Sequence, residues 1–180
     1  MDRQILRRLI LTALFAAIIA VAAPISIPIG TVSHTLSVFA IFLCGAILPP
    51  VYAASATLVY IALGAVGLPV FSNFEGGIGK LVGYTGGFIW SYPLMALVIA
   101  LSVMLFKKRS ILSLALGMTA ALIICYIMGT MWYSHLAGVS FEKGLIVCFY
   151  PFIGFDILKA VAAIALTLGL RNTALFNKNI

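Results

Sequence analysis

The segment Asp156-Ile-Leu-Lys159 sets a carboxylate and an ammonium three residues apart inside an otherwise apolar run from Pro151 to Leu170. On a helix that spacing puts both groups on one face. A charge at the centre of a membrane helix costs about 2.5–3.5 kcal/mol on insertion scales, so such groups face a bundle interior or a watery cavity. Together they accept and donate hydrogen bonds at one point, which is the chemistry needed to hold a small polar molecule. Two other uses stay open from the residues alone. The pair can neutralise itself and serve only as structure, although desolvation offsets most of the attraction in such pairs. An intramembrane acid can also relay protons, but no second acid lies in the apolar runs beside Asp156.

The surrounding chain is that of an integral membrane protein. Of its 180 residues, 64% are hydrophobic and 8% charged, with a mean hydropathy of +1.23, far from the composition of a soluble domain. A bilayer-crossing helix needs about 20 apolar residues, and the chain offers about six such runs. They cover approximately Leu9–Ala23, His34–Leu48, Val51–Val66, Phe88–Phe106, Ile111–Gly129 and Pro151–Leu170, with a short outer helix over Phe141–Tyr150. The expected fold class is an all-α integral membrane protein. It is a single domain over residues 1–180, a bundle of six transmembrane helices with a glycine-rich outer loop between helices three and four.

The formal charge of +7 is placed as a topology signal. Arg3, Arg7 and Arg8 precede the first run, Lys107-Lys108-Arg109 separates the fourth from the fifth, and Arg171 and Lys178 follow the sixth. An even number of crossings puts all three clusters on one side, which the positive-inside rule assigns to the cytoplasm. The expectation is a multi-pass protein of the cell membrane with both termini cytoplasmic and no nucleic-acid partner. Arg7-Arg8 and the apolar run ending in Ala20-Val21-Ala22 also have the form of a signal peptide, but cleavage would leave five crossings and split the basic clusters. Cys44, Cys125 and Cys148 are odd in number and scattered, so neither a disulfide framework nor a metal site follows.

Two further features bear on the pair. Between Gly64 and Gly87 lie eight of the sixteen glycines, with Asn73, Phe71, Phe74 and Tyr84 among them. That density indicates an ordered loop with unusual backbone angles, suited to a lid, and it matches neither a dinucleotide fingerprint nor a phosphate loop. The candidate pocket therefore joins Asp156 and Lys159 to Asn73, Tyr84, Trp90 and Trp132, with His34 contributing to the pocket or to a loop. Trp90 and Tyr92 also read as interface anchors near a helix end. In the first run, Ala13, Ala16, Ala17 and Ala20 form a small-residue ridge, suited to packing within the bundle or to docking another protein.

Gly67-Leu-Pro69-Val-Phe71, Gly76-Gly77, Gly83-Tyr84-Thr85-Gly86-Gly87-Phe88, and Pro151-Phe152 followed by Asp156-Ile-Leu-Lys159 resemble the BioY family over nearly the whole chain. BioY proteins are biotin-specific S components of energy-coupling factor (ECF) transporters. The resemblance implies six helices, capture of biotin from outside, and partnership with a transmembrane T component and two cytoplasmic ATPases. It also implies that the alanine ridge is a docking helix. Asp156 would then accept from the ureido N–H groups, Lys159 would meet the ureido carbonyl or the carboxylate tail, and Asn73 would donate and accept at once. Tyr84, Ser33 and Ser37 stand where the family commonly has proline, proline and glutamine. Alternatives are an S component for another vitamin or precursor and, from a different class, an intramembrane enzyme using Asp156 or His135. The enzyme reading lacks a nucleophile or metal motif, and no cofactor is expected.

Overall fold

The computed structural model describes residues 2–29, 32–107 and 109–170. The basic residues Lys108, Arg171 and Lys178 lie outside that set. Eight α-helices follow in chain order: α1 Arg3–Ala22, α2 Ser37–Ile47, α3 Pro50–Ala65, α4 Ile78–Val82, α5 Gly86–Leu105, α6 Ile111–Ala137, α7 Phe141–Cys148 and α8 Ile153–Gly169. A two-stranded sheet, β1 Ser26–Ile29 and β2 Val32–Thr35, sits between α1 and α2.

Helix boundaries follow local chemistry. Asp2 caps α1 by accepting from the Gln4 amide at 3.1 Å, and Pro24 follows its last turn. Pro50 opens α3 at a position where a missing N–H costs nothing. Ser110 and Ser113 cap α6 reciprocally. Arg109 finishes α2 from across the bundle, its Nε donating to the Ala46 carbonyl at 2.9 Å and Nη2 to the Ile47 carbonyl at 3.1 Å.

The helices α1, α5 and α6 are long and apolar enough to cross a membrane, and α7 with α8, bent by 55° at their break, together have the length and composition of a broken span or a re-entrant loop. The two shorter apolar helices depart from the expected runs, with 11 residues in α2 and 16 in α3. They extend about 16 and 24 Å, less than a hydrocarbon core of about 30 Å. The second run is short because its first residues, including His34, belong to β2 rather than to a helix. The segment after Pro24 forms a hairpin, with Ser26 opposite Thr35 and Ile27 opposite His34. The last helix starts at Ile153, two residues beyond Pro151.

Helix α5 packs against α2, α3 and α6 and forms the middle of the bundle. Its contact with α6 depends on missing side chains. A Cβ at Gly87 would lie 2.3 Å from Trp132 Cβ and 2.8 Å from the Met128 carbonyl, so the two backbones approach closely only because Gly87 has none.

The glycine-rich loop is ordered by specific contacts. Phe71 is fully buried and meets the Tyr60 ring edge-on at 5.6 Å. Asn73 adopts φ 60, a left-handed angle that asparagine tolerates better than most residues. From there it clasps both strands of the hairpin. Its Oδ1 accepts from Ser26 Oγ at 2.8 Å, and its Nδ2 donates to Ser33 Oγ at 3.2 Å.

The alanine ridge divides into two faces. Ala16 is buried against the bundle with Thr12 and Ile19, Ala20 is half-buried, and Ala13 and Ala17 are exposed. Ala16 therefore takes part in packing within the bundle, while Ala13 and Ala17 face outward. Ala16→Leu is expected to destabilise the fold by about 1–3 kcal/mol through overpacking, whereas Ala17→Leu leaves thermal unfolding within about 0.5 kcal/mol of the parent. Thermal unfolding of both variants in detergent checks the difference.

Candidate ligand-binding site

Helix α8 turns Asp156, Lys159, Ala163 and Thr167 inward, all buried, while Ile157, Leu158 and Val161 are each more than half exposed. This is the stripe that the spacing predicts, and it delivers the acid–base pair to the junction of α2, α5, α6 and the hairpin. Lys159 Nζ donates to Asp156 Oδ1 at 3.0 Å and to the Thr35 carbonyl at 2.6 Å. Tyr126 Oη, from α6, donates to Asp156 Oδ2 at 2.6 Å. Ser37, the first residue of α2, lies 3.0 Å from Tyr92 Oη of α5 and also bonds the Thr35 hydroxyl. One connected polar network thus runs from α5 through α2 and the hairpin to α8 and α6.

These groups line one cavity with about 620 Å³ of empty space, part of it open to solvent. Tyr60, Phe88, Ile89, Tyr92 and Phe152 supply apolar and aromatic wall. The loop reaches the cavity through Ser72 and Thr85.

Asp156 and Lys159 are only 5% and 9% exposed, so the pair is held in the protein at full desolvation cost. Its hydrogen-bonding capacity is not exhausted. A carboxylate has about four acceptor sites, and two are used by Lys159 and Tyr126; an ammonium has three donors, and two are used by Asp156 and Thr35. The pair can take about two more N–H donors and give one more hydrogen bond. A neutral ligand with adjacent donors and an acceptor complements that arrangement.

The structure brings three of the sequence-derived candidates together in this cavity: Asp156, Lys159 and His34. The other four stand outside its lining. Asn73 is exposed and committed to the hairpin. Tyr84 is 49% exposed and packs against Tyr133 at 5.7 Å between ring centres. The two tryptophans hold the loop. Trp90 Nε1 donates to the Leu81 carbonyl at 3.2 Å and Trp132 Nε1 to the Gly83 carbonyl at 2.9 Å, pinning the C-terminal end of α4. Tyr92, expected as an interface anchor, is buried and turned into the cavity. His135 is exposed near the end of α6 and does not line the cavity.

Sequence reasoning missed Tyr126, Tyr92, Tyr60, Thr35, Ser37 and Phe152. A signal for Tyr126 existed, because a phenol in the middle of an apolar helix needs a buried partner. Nothing local says that the partner is Asp156, 30 residues further on.

His34 stacks on Phe152 at 5.5 Å and lies 5.0 Å from Phe155 between ring centres. Burial holds it below the ordinary histidine value of 6.5, the Lys159 ammonium lowers it further, and Asp156 partly opposes them. The unfolded chain therefore binds this proton more readily than the fold does. The resulting stability is present above the ordinary value of about 6.5 and is lost as pH falls from there through the lower value of the folded state. Thermal unfolding in detergent between pH 7.5 and 5.5, from about one unit above the ordinary histidine value to about one unit below it, should show the onset of this decline, and His34→Gln should flatten it.

Among the described residues, no group of three His, Cys, Asp or Glu side chains gathers to hold a metal ion. The three cysteines are buried and free.

Comparison with known proteins agrees with this architecture. The BioY family model matches residues 1–175. The chain is 41% identical over 169 residues to a protein named biotin transporter BioY from Thermotoga maritima, covering 92% of this chain and 96% of that one. It is 40% identical over 154 residues to a probable biotin transporter BioY from Pyrococcus horikoshii, covering 86% and 90%. The fold is shared with the crystal structure of an S-component for biotin from an ECF-type ABC transporter, at a TM-score of 0.89 and 24% identity over 97% of this chain and 95% of that one. The apolar helices, the buried acid–base network and the match along nearly all its length place this multi-pass membrane protein in the BioY family.

Proposed function

We propose that this protein is the biotin-capturing S component of an ECF-type vitamin transporter, with Asp156 and Lys159 as the polar end of its binding site. The observation that carries the reading is the buried pair with spare capacity for about two donors and one acceptor. Biotin's ureido ring offers two N–H groups and one carbonyl in one plane, which fits that requirement. Tyr126 and the Thr35 carbonyl orient the pair, and Tyr60, Phe88, Tyr92 and Phe152 cover the sulfur ring and aliphatic chain. The relatives' names as biotin transporters support the same ligand. The role is capture and delivery, with no chemistry performed on the substrate.

The cavity opens to the outside in this reading, and both termini are cytoplasmic. Arg8, Lys107 and Arg109 gather at the opposite end of the bundle, as the positive-inside rule requires. The chain forms a single domain that crosses the bilayer six times, with α2 and α3 as the two short crossings. Asn73 and Tyr84 serve the loop that borders the mouth, and Trp90 and Trp132 hold that loop in place. The exposed Ala13 and Ala17 on α1 offer a docking face to a T component, with two ATPase subunits supplying energy.

Titration of the purified protein with biotin tests the reading, with tryptophan fluorescence reporting on the loop that Trp90 and Trp132 pin and calorimetry as control. Saturable binding in the nanomolar to micromolar range is expected, with weaker competition by desthiobiotin and none by thiamine or riboflavin. Absence of saturable binding, or preferential binding of another vitamin, overturns it.

A further inference from the structure

A second cavity lies at the other end of the bundle. It is framed by the first turns of α1, the Leu48-Pro49-Pro50 turn and the end of α5, with about 760 Å³ of empty space including open solvent. Ala23, which lines the first cavity, and Arg8, which lines the second, are 15 residues apart along or just past α1. That separation is about 22 Å, so the second cavity sits near the opposite membrane surface.

Its lining is chemically divided. Arg8, Lys107 and Arg109 supply three cations, the remaining lining residues are apolar, and no acidic side chain is among them. Arg8 lies 5.7 Å above the Tyr52 ring, which fixes its guanidinium. Its Nε is buried and has no hydrogen-bond partner among the described residues. A buried guanidinium donor calls for an acceptor. Arg109 is tied into the same wall by its bonds to the Ala46 and Ile47 carbonyls. Lys107 follows the end of α5 at φ 52, a left-handed angle that a glycine would adopt without strain. The backbone accepts that cost where it presents an ammonium to the cavity.

We propose that this cavity binds the phosphate of an anionic phospholipid, with Arg8 and Lys107 on the phosphate and Leu48, Val103 and Met104 against the start of the acyl chains. Free phosphate satisfies the cations equally well, but the apolar wall and the position near the membrane surface fit an amphiphile. Basic pockets between membrane helices bind lipid head groups on these terms. The site is separate from the ligand cavity and does not depend on the identity of the transported molecule.

The test uses the full chain in a neutral detergent. Short-chain phosphatidylglycerol, short-chain phosphatidylcholine and inorganic phosphate are titrated separately while thermal unfolding and lipid adducts in native mass spectrometry are followed. Phosphatidylglycerol should stabilise the protein and form a one-to-one adduct at concentrations where phosphatidylcholine and phosphate do neither. Arg8→Gln and Lys107→Gly should each weaken the response about fivefold, the effect of one cation near a charged surface. Lys107→Gly also relieves the positive φ, so it keeps the protein folded and leaves biotin binding unchanged even where Arg8→Gln does not fold. Equal responses to both lipids, a full response to inorganic phosphate alone, or an undiminished response in Lys107→Gly would each overturn the proposal.

Discussion

Replacing Asp156 with asparagine is expected to lower biotin affinity by about 100-fold, the order for losing charge-assisted hydrogen bonds worth about 1.5–3 kcal/mol each. The amide keeps the shape of the carboxylate but presents one acceptor oxygen and one donor nitrogen. It cannot receive Lys159, Tyr126 and two ligand N–H groups at once. Stability also falls, because Lys159 keeps its bond to the Thr35 carbonyl but loses its counter-charge while 9% exposed. Breaking such a pair costs up to about 3–5 kcal/mol.

The two losses separate in a second variant. Asp156→Leu, Lys159→Met and Tyr126→Phe together replace the network with apolar groups of similar volume. Unfolding should recover to within about 1–2 kcal/mol of the parent, because removing a buried ion pair as a unit is close to neutral. Biotin binding should remain lost. Parallel recovery of stability and binding would show that the pair only holds α8 in place. Calorimetric titration and thermal unfolding on the same preparations decide between the outcomes.

The second large effect is expected at Gly87. Alanine there puts a Cβ 2.3 Å from Trp132 Cβ and 2.8 Å from the Met128 carbonyl. Neither atom can rotate away, since one is fixed to the α6 backbone and the other is part of it. Helices α5 and α6 must therefore separate, at a cost of about 1–3 kcal/mol or more. The ligand site suffers with the fold. Phe88 and Ile89 follow directly on α5, and Tyr126 sits on the same stretch of α6; all three line the cavity. Gly79→Ala is the control, because a Cβ at that position meets nothing within 4 Å. Far-ultraviolet circular dichroism melts should show a clear loss for Gly87→Ala and almost none for Gly79→Ala. Equal melting of Gly87→Ala and the parent would mean that the two helices are not held at this distance.

Much of the site was legible along a single helix. The spacing of Asp156, Lys159, Ala163 and Thr167 is local geometry, and the structure turns that stripe inward as expected. The aromatic candidates were not legible in the same way. Trp90 and Trp132 are polar-tipped rings near helix ends, a pattern shared by ligand contacts, interface anchors and loop clamps. Their partners, the Leu81 and Gly83 carbonyls, decide which use applies in this conformation. The alanine ridge shows the same limit. Small residues announce close packing, but the outward turn of Ala17 and the inward turn of Ala16 depend on where α3 lies.

The hairpin carries a sequence signal of its own. Ser26-Ile-Pro-Ile29 and Val32-Ser-His-Thr35 are short, β-branched runs either side of Gly30-Thr31, the form of two strands around a turn. Its consequence for the site was beyond sequence, because the Thr35 carbonyl reaches Lys159 across 124 residues.

Composition, hydropathy and charge placement by themselves determined a multi-pass helical membrane protein with one buried acid–base pair, because transfer costs and helical periodicity act residue by residue. Motif order along the chain pointed to the family. Only the tertiary structure decided which groups complete the pair, that Tyr126 and Thr35 orient it, and that the tryptophans hold a loop outside the cavity lining. Those outcomes rest on contacts between distant segments, whose distances are set by how glycines and helices pack and are not written in any local spacing.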